Sequence, residues 1–144
     1  MNKNIILNKQ IGKNLNSSLL EWFYFEQEPV SIIRLYLLFD EWISVMCSEE
    51  TIKILQLADK PYDWADGDYK YIMVAQDIKN INKSKLKDIK YLIDKHDIKR
   101  GILFLFENGN NLCYFNRGYE FKEETIFKIN IQSNEITSFA RHFL

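Results

Sequence analysis

Short apolar runs, rich in aromatic and β-branched side chains, alternate with brief polar segments along most of this chain. The first half holds five such runs, at residues 19–26, 30–39, 42–47, 51–57 and 71–78. Runs of this length, bounded by segments such as Gln27-Glu28-Pro29 and Ser48-Glu49-Glu50, are typical of β-strands. The first four follow one another closely, which predicts an antiparallel meander. Residues 58–69 contain Pro, Gly and several Asp, and they predict a loop.

The second half gives one clear hairpin signal. Residues 101–107 and 112–116 are apolar, and the turn dipeptide Asn108-Gly109 lies between them. Residues 86–94 are ambiguous, because Leu86, Ile89 and Ile93 fit one face of a helix whereas Ile89, Tyr91 and Ile93 fit one face of a strand. Both interpretations stay open.

The last residues carry a helical stripe. Ile136, Phe139, Ala140 and Phe143 are spaced at i, i+3, i+4 and i+7, which predicts a short terminal helix. Together with the strand runs, this predicts an α+β fold that is predominantly antiparallel β, with one or two short helices.

The two halves of the chain resemble each other in pattern. Residues 32–40 match residues 99–107 at an offset of 67, and each run leads to a cysteine and then to Glu-Thr-Ile, at 50–52 and 124–126. This predicts two pseudo-repeated units, each a strand hairpin plus one further strand. Alternating apolar strands also produce such echoes by chance, so true duplication and coincidence both remain open.

Composition limits the class of protein. The 144 residues suit a single domain over 1–144, and 47% hydrophobic with 15% aromatic residues is too apolar for a disordered chain. No apolar run approaches the roughly 20 residues of a membrane span, and the N-terminal run at residues 5–7 is too short for a secretory signal. We therefore expect a soluble, cytoplasmic protein in which Cys47 and Cys113 are reduced core residues.

Charge is distributed unevenly although the net charge is only −1. Residues 26–68 contain ten acids and three bases, whereas residues 79–90 contain five lysines and one aspartate. The lysine run includes no arginine and the overall pI is about 6.1, so a solvated face is a better interpretation than a nucleic-acid site. We expect no nucleic-acid or membrane partner.

The sequence offers little material for catalysis. The only histidines are His96 and His142, and both cysteines lie in apolar runs, where a thiol is unreactive. Phosphate-binding and dinucleotide-binding motifs and zinc-ligand pairs are absent. The carboxylates that begin at Asp63 do not fit a calcium loop, because its third position is Ala65 and its twelfth is Val74. We expect no enzyme activity, no cofactor and no metal, with a small enzyme of unrecognised site as a minor alternative.

The most informative stretch is residues 59–71, where aromatic side chains lie among four aspartates. Such a mixture is typical of a protein interface for a basic partner. The candidate partner-binding residues are Asp59, Tyr62, Asp63, Trp64, Asp66, Asp68 and Tyr69, with Glu49 and Glu50 from the neighbouring turn. The alternative is that the aromatic side chains pack as the loop's own small core while the aspartates merely face water.

This profile resembles bacterial immunity proteins of contact-dependent growth inhibition (CdiI-like) and other polymorphic toxin systems. The resemblance is carried by residues 59–71 and by the strand runs through Phe39 and Phe106 with the Asn108-Gly109 turn. It implies an inhibitor that binds a cognate toxin domain, often a nuclease, and occludes its basic active site with carboxylates. The alternative from a different class is a structural or regulatory module that pairs with itself or another protein through an exposed strand edge.

Overall fold

The computed structural model describes residues 4–48, 51–81, 83–117 and 124–140, and the backbone of residues 142–143. Within these residues, strands dominate and the two helices are short. The elements are α1 (Ile5–Asn8), β1 (Ser17–Phe25), β2 (Glu28–Leu38), β3 (Trp42–Cys47), β4 (Ile52–Leu57), β5 (Trp64–Asp66), β6 (Tyr69–Ala75), β7 (Leu86–Ile93), β8 (Lys99–Phe106), β9 (Asn111–Asn116), β10 (Thr125–Ile129), α2 (Ser133–Thr137) and β11 (His142–Phe143). In the described part of the chain neither helix is long and apolar enough to span a bilayer.

The strands form two antiparallel sheets. Sheet A has the order β4-β3-β2-β1-β6-β5, and sheet B has the order β10-β9-β8-β7-β11. The prediction of a predominantly antiparallel β fold with one or two short helices is therefore confirmed. The order of sheet A is not the order of the chain, because β6 pairs with β1 and adds β5 at the outer edge.

The main hydrophobic core contains buried side chains from both sheets, which defines an inner face for each sheet. Sheet A contributes residues such as Leu35 and Val45, and sheet B contributes Ile102, Phe104 and Tyr114. The inward side chains alternate with outward ones, as expected from the period of two, except at the register shifts in the β1–β2 and β7–β8 pairs. Direct bonds also join the sheets: the Asn116 side chain donates to the Cys47 carbonyl oxygen at 3.0 Å, in a buried position.

Several local predictions are decided by strand pairing. Residues 86–93 of the ambiguous segment 86–94 form strand β7, because β8 pairs with them along nearly their whole length. The predicted loop at 58–69 is wrong in part, since residues 64–66 form β5 and pair with β6. The predicted terminal helix is wrong in its bounds, since α2 (Ser133–Thr137) contains only Ile136 of the stripe and Phe143 lies in β11.

The two pseudo-repeated hairpin units are not confirmed. Each sheet does contain a four-stranded meander, β1 to β4 in sheet A and β7 to β10 in sheet B. However, Cys47 packs in the core between the sheets, whereas Cys113 packs in a second cluster on the opposite face of sheet B. The cysteines that follow the two matching runs therefore occupy different environments.

Candidate protein-binding surface

The acidic and aromatic segment forms a tight hairpin at one edge of sheet A. Asp66 pairs with Tyr69 across a two-residue turn, and Gly67 has a positive φ of 61°. A positive φ at the first turn position alone is the pattern of a type II′ turn, where glycine is preferred. The sequence Asp-Gly-Asp is thus explained locally by the turn, and it places two carboxylates at the hairpin tip.

Five aromatic rings lie side by side on the outer face of sheet A, across β5, β6 and β1. Trp64 stacks on Tyr71 with ring centroids 3.9 Å apart and planes inclined by 6°. Phe23 lies 5.3 Å from Tyr71 and 5.6 Å from Tyr69, and Phe25 lies 5.2 Å from Tyr69. Trp64, Tyr69 and Phe25 remain 46%, 47% and 39% exposed. We call these five residues the aromatic face.

The turn between β1 and β2 lies beside the turn between β5 and β6. Phe25 pairs with Tyr69 on one side and with Glu28 on the other, and the Glu26 backbone N–H donates to the Asp68 carbonyl oxygen at 3.2 Å. Four exposed carboxylate residues thereby gather at this end of the sheet. They are Glu26, Glu28, Asp66 and Asp68, and we call them the acidic end.

Residues 58–63 connect the two opposite edge strands of sheet A, β4 and β5. Five strand spacings correspond to about 24 Å in a flat sheet, and seven extended residue steps reach about the same length. The connection is therefore short for its task. It passes over the face that carries Glu21 and Met73, because residues of both the connection and this face line one cleft.

This cleft has a volume of about 460 Å³ and a polar floor. The Tyr36 hydroxyl donates to Glu21 Oε1 at 2.5 Å, and Arg34 Nη1 donates to the same oxygen at 3.3 Å. Burial, together with the bond to Glu21, raises the pKa of Tyr36 to about 12. Burial alone lowers the pKa of Arg34, but Tyr36 and the charge of Glu21 outweigh it and raise that pKa. The polar groups of Glu21, Arg34 and Tyr36 are thus hydrogen-bonded to one another, which favours a structural role for these three residues.

The predicted site residues fall into two groups and one exception. Asp59, Tyr62 and Trp64 line the cleft, with Tyr62 75% exposed. Asp66, Asp68 and Tyr69 lie at the hairpin tip. Asp63 has a structural role, since its Oδ1 accepts from the Met73 backbone N–H at 2.7 Å and ties the connection to β6. Glu49 and Glu50 lie outside the described residues.

The alternative, in which the loop's aromatic side chains pack on one another while the aspartates face water, fits the structure in part. The rings do pack on one another, but three of those in the aromatic face keep more than a third of their surface in water. The structure also adds residues that the sequence did not indicate, namely Phe23, Phe25, Glu26 and Glu28. The alternation of Phe23 and Phe25 was the available signal, since it places both rings on one face of a strand.

The thiols and histidines form no reactive constellation in the described residues. Cys47 and Cys113 are free and buried, as predicted for core cysteines. Burial raises the pKa of Cys113 to about 12 and that of Cys47 further still, so both remain thiols at neutral pH. His96 lies in the exposed turn between β7 and β8. The described residues contain no group of three or more His, Cys, Asp or Glu side chains arranged to hold a metal ion.

Comparison with known proteins finds no protein family, no curated relative and no solved structure that matches this chain.

Proposed function

We propose that this protein is a non-catalytic binding domain whose partner is a toxin domain with a basic surface, as in bacterial immunity proteins. The observation that supports the proposal is the aromatic face, left partly uncovered beside the acidic end of sheet A. Aromatic anchors surrounded by charged residues are the composition of protein interfaces and of their hot spots. Isolated exposed apolar residues are common, but a contiguous patch of rings is not.

The proposed mechanism is occlusion. A nuclease toxin needs a positively charged cleft for its substrate, and the carboxylates at the tip of the β5–β6 hairpin would occupy that cleft as the phosphates do. Opposite charges accelerate association and fix the register of the complex. Trp64 and Tyr69 then supply desolvated contact area, because about half of each side chain is exposed in the free protein. On this proposal the protein acts in the cytoplasm, where an incoming toxin meets its substrate.

Two variants test the proposal at the candidate surface. We expect Trp64→Ala to weaken binding of a candidate toxin domain with a basic active-site cleft about 30-fold or more, since a hot-spot truncation costs about 2 kcal/mol or more. Asp66→Asn should slow association and reduce its salt dependence. Titration calorimetry gives the affinity, and stopped-flow fluorescence gives the association rate.

Matched controls separate binding from general surface effects. Leu55 is 58% exposed on β4 at the far edge of sheet A, so Leu55→Ala removes an exposed apolar side chain away from the surface. Asp77→Asn removes one exposed carboxylate after the end of β6. Both controls should bind normally. Equal affinity for Trp64→Ala and wild type would contradict the proposed surface, and failure of the wild-type protein to bind the toxin domain or rescue cells that express it would contradict the function.

The competing interpretation from the sequence is a module that pairs through an exposed strand edge. Where such a module pairs with itself, and not with another protein, it predicts a concentration-dependent oligomer in the absence of toxin, which sedimentation velocity measures directly. A monomer that forms a one-to-one complex with the toxin domain favours immunity, whereas an oligomer that does not bind the toxin domain favours the module.

A further inference from the structure

The turn between β1 and β2 has a sequence that its backbone does not favour. Phe25 pairs with Glu28, so Glu26 and Gln27 are the two central residues, with φ values of 49° and 73°. Positive φ at both positions defines a type I′ turn, where Asn-Gly is strongly preferred. A residue with a long side chain in this conformation costs about 1 kcal/mol or more relative to glycine. Stability alone would therefore favour other residues here.

The turn itself gives the Glu26 side chain no structural task. Glu26 contributes its backbone N–H to the Asp68 carbonyl oxygen, and within the described residues neither the Glu26 nor the Glu28 carboxylate has a hydrogen bond or an ion pair. Phe25, directly before the turn, is 39% exposed and packs its ring against Tyr69. The turn thus continues the exposed aromatic face and its carboxylates onto a second hairpin.

We infer that the β1–β2 turn is the second half of the partner surface, where Phe25, Glu26 and Glu28 contact basic side chains of the bound protein. This inference rests on the proposed function, whose occluding carboxylates lie on the β5–β6 hairpin, and it adds a direct contact role for the carboxylates of the β1–β2 turn. The occupant is a protein that presents Lys or Arg, because those side chains match the carboxylates in charge and also pack on exposed rings.

Two other occupants fit the same surface less well. Nucleic acid is disfavoured because its phosphates would meet four carboxylate residues. A second copy of this chain is disfavoured because the rings and the carboxylates lie at the same end of sheet A. A symmetric pair centred on Phe25 and Tyr69, the rings next to the carboxylates, also brings its two acidic ends together, and like charges at an interface are costly.

The test separates the charge of the turn from its strain. Glu26→Gln removes the carboxylate and keeps the side-chain length, whereas Gln27→Gly relieves the positive φ and keeps every charge. Lys83→Gly controls for relief of a positive φ away from this surface, because Lys83 also has a positive φ, 65°, and lies just before β7; unlike Gln27→Gly, it removes one positive charge. Each variant is titrated at several salt concentrations with the same candidate toxin domain, and its Tm is measured without toxin.

We expect Glu26→Gln to weaken binding about fivefold or more and to reduce the salt dependence of the affinity, with little change in Tm. Gln27→Gly and Lys83→Gly should each raise Tm by a few degrees and leave the affinity unchanged. Wild-type binding with unchanged affinity in Glu26→Gln overturns this inference alone. Equal weakening by Glu26→Gln and Gln27→Gly overturns it as well, since the partner would then require the turn's shape and not its charge. Absence of wild-type binding overturns the proposed function and this inference together.

Discussion

Both sheets carry apolar side chains on the face that points away from their shared core, but the chain closes these two faces differently. On sheet B, Cys113 and Phe115 are covered by the C-terminal segment, and Ile131 and Ile136 join them in one buried cluster. On sheet A, the aromatic face keeps three of its rings more than a third exposed. The outer face of sheet B is thus closed within the fold, whereas the aromatic face of sheet A stays partly exposed to solvent.

The difference follows the chemistry of the side chains on each face. The covered face uses Leu, Cys and Phe, which gain only by leaving water. The open face uses Trp and Tyr as well, whose polar atoms remain hydrated while their rings offer large contact area. A face of this second kind is tolerated in the free protein and still gains free energy when a partner covers it.

The sharpest way to break this comparison is to truncate one ring on each face. Phe115 is 1% exposed, and the centroid of its ring lies 4.6 Å from that of Phe139. Phe115→Ala should therefore lower the free energy of unfolding by about 3–5 kcal/mol. Trp64→Ala should cost about 1 kcal/mol, because the side chain is nearly half exposed. Urea denaturation measures both losses. Losses of equal size would show that the open face is structural.

The turns of the two sheets offer a second contrast. The β7–β8 turn is held by Asp94, whose Oδ2 accepts from Arg100 Nε at 2.7 Å and whose Oδ1 accepts from the His96 and Ile98 backbone N–H groups. We expect Asp94→Asn to lower the free energy of unfolding by about 2–3 kcal/mol, since bonds to a charged group are the stronger ones. The Glu26→Gln change in the strained turn of sheet A should have little effect on stability.

The same aspartate gives this contrast a pH dependence. Burial alone raises the pKa of Asp94, but the bond from Arg100 and the backbone N–H groups of Ile98 and His96 outweigh it and hold that pKa below the usual range. The carboxylate therefore contributes stability above its unfolded pKa of about 3.9, and this stability is lost as the pH falls through the folded pKa. Between pH 5 and pH 2, the free energy of unfolding should fall less steeply for Asp94→Asn than for the wild-type protein. Parallel curves would contradict this assignment.

A substitution at Tyr36 tests whether the polar network on the floor of the cleft stabilises the fold. Tyr36→Phe removes the hydroxyl that donates to the buried Glu21 carboxylate and should cost about 1–2 kcal/mol. Because the pKa of Tyr36 is raised to about 12, the stability it contributes is fully present below its unfolded pKa of about 10 and is lost as the pH rises toward 12. Between pH 9 and pH 12, the free energy of unfolding should therefore fall less steeply for Tyr36→Phe than for the wild-type protein. Loss of toxin binding without loss of stability would instead place Tyr36 in the interface.

The smallest expected effect on stability concerns the ion pair between β10 and α2, in the C-terminal segment that covers the outer face of sheet B. Lys128 Nζ lies 2.7 Å from Glu135 Oε2, and this bond, with one from the Gln132 backbone, lowers the pKa of Glu135. Both side chains are exposed, so Glu135→Gln should leave Tm nearly unchanged. Ile136→Ala is the control, and it should lower Tm clearly, because Ile136 is 4% exposed. A larger loss of Tm for Glu135→Gln than for Ile136→Ala would show that the ion pair, and not apolar burial, holds the C-terminal segment on sheet B.

The sequence by itself determined the strands and the character of the candidate segment. Alternation with a period of two is a local property, so β2, β3 and the β8–β9 hairpin could be predicted from neighbouring residues alone. The aspartates and rings of residues 59–71 could likewise be singled out by composition. Residues 86–94 could not be assigned from sequence, because their apolar positions fit both the helical period of 3.6 and the strand period of 2. Only pairing with a partner strand selects one of the two.

Only the tertiary structure decided which segments share a surface. β6 returns to pair with β1, and this pairing brings Phe25 and Glu26 beside Tyr69 and Asp68, more than 40 positions away in the chain. Strand order depends on long-range pairings whose hydrogen bonds are chemically alike, so the sequence near each strand does not name its neighbour. The alternation fixed the face on which each ring lies, and the order of the strands in sheet A decided that the two hairpins form one surface.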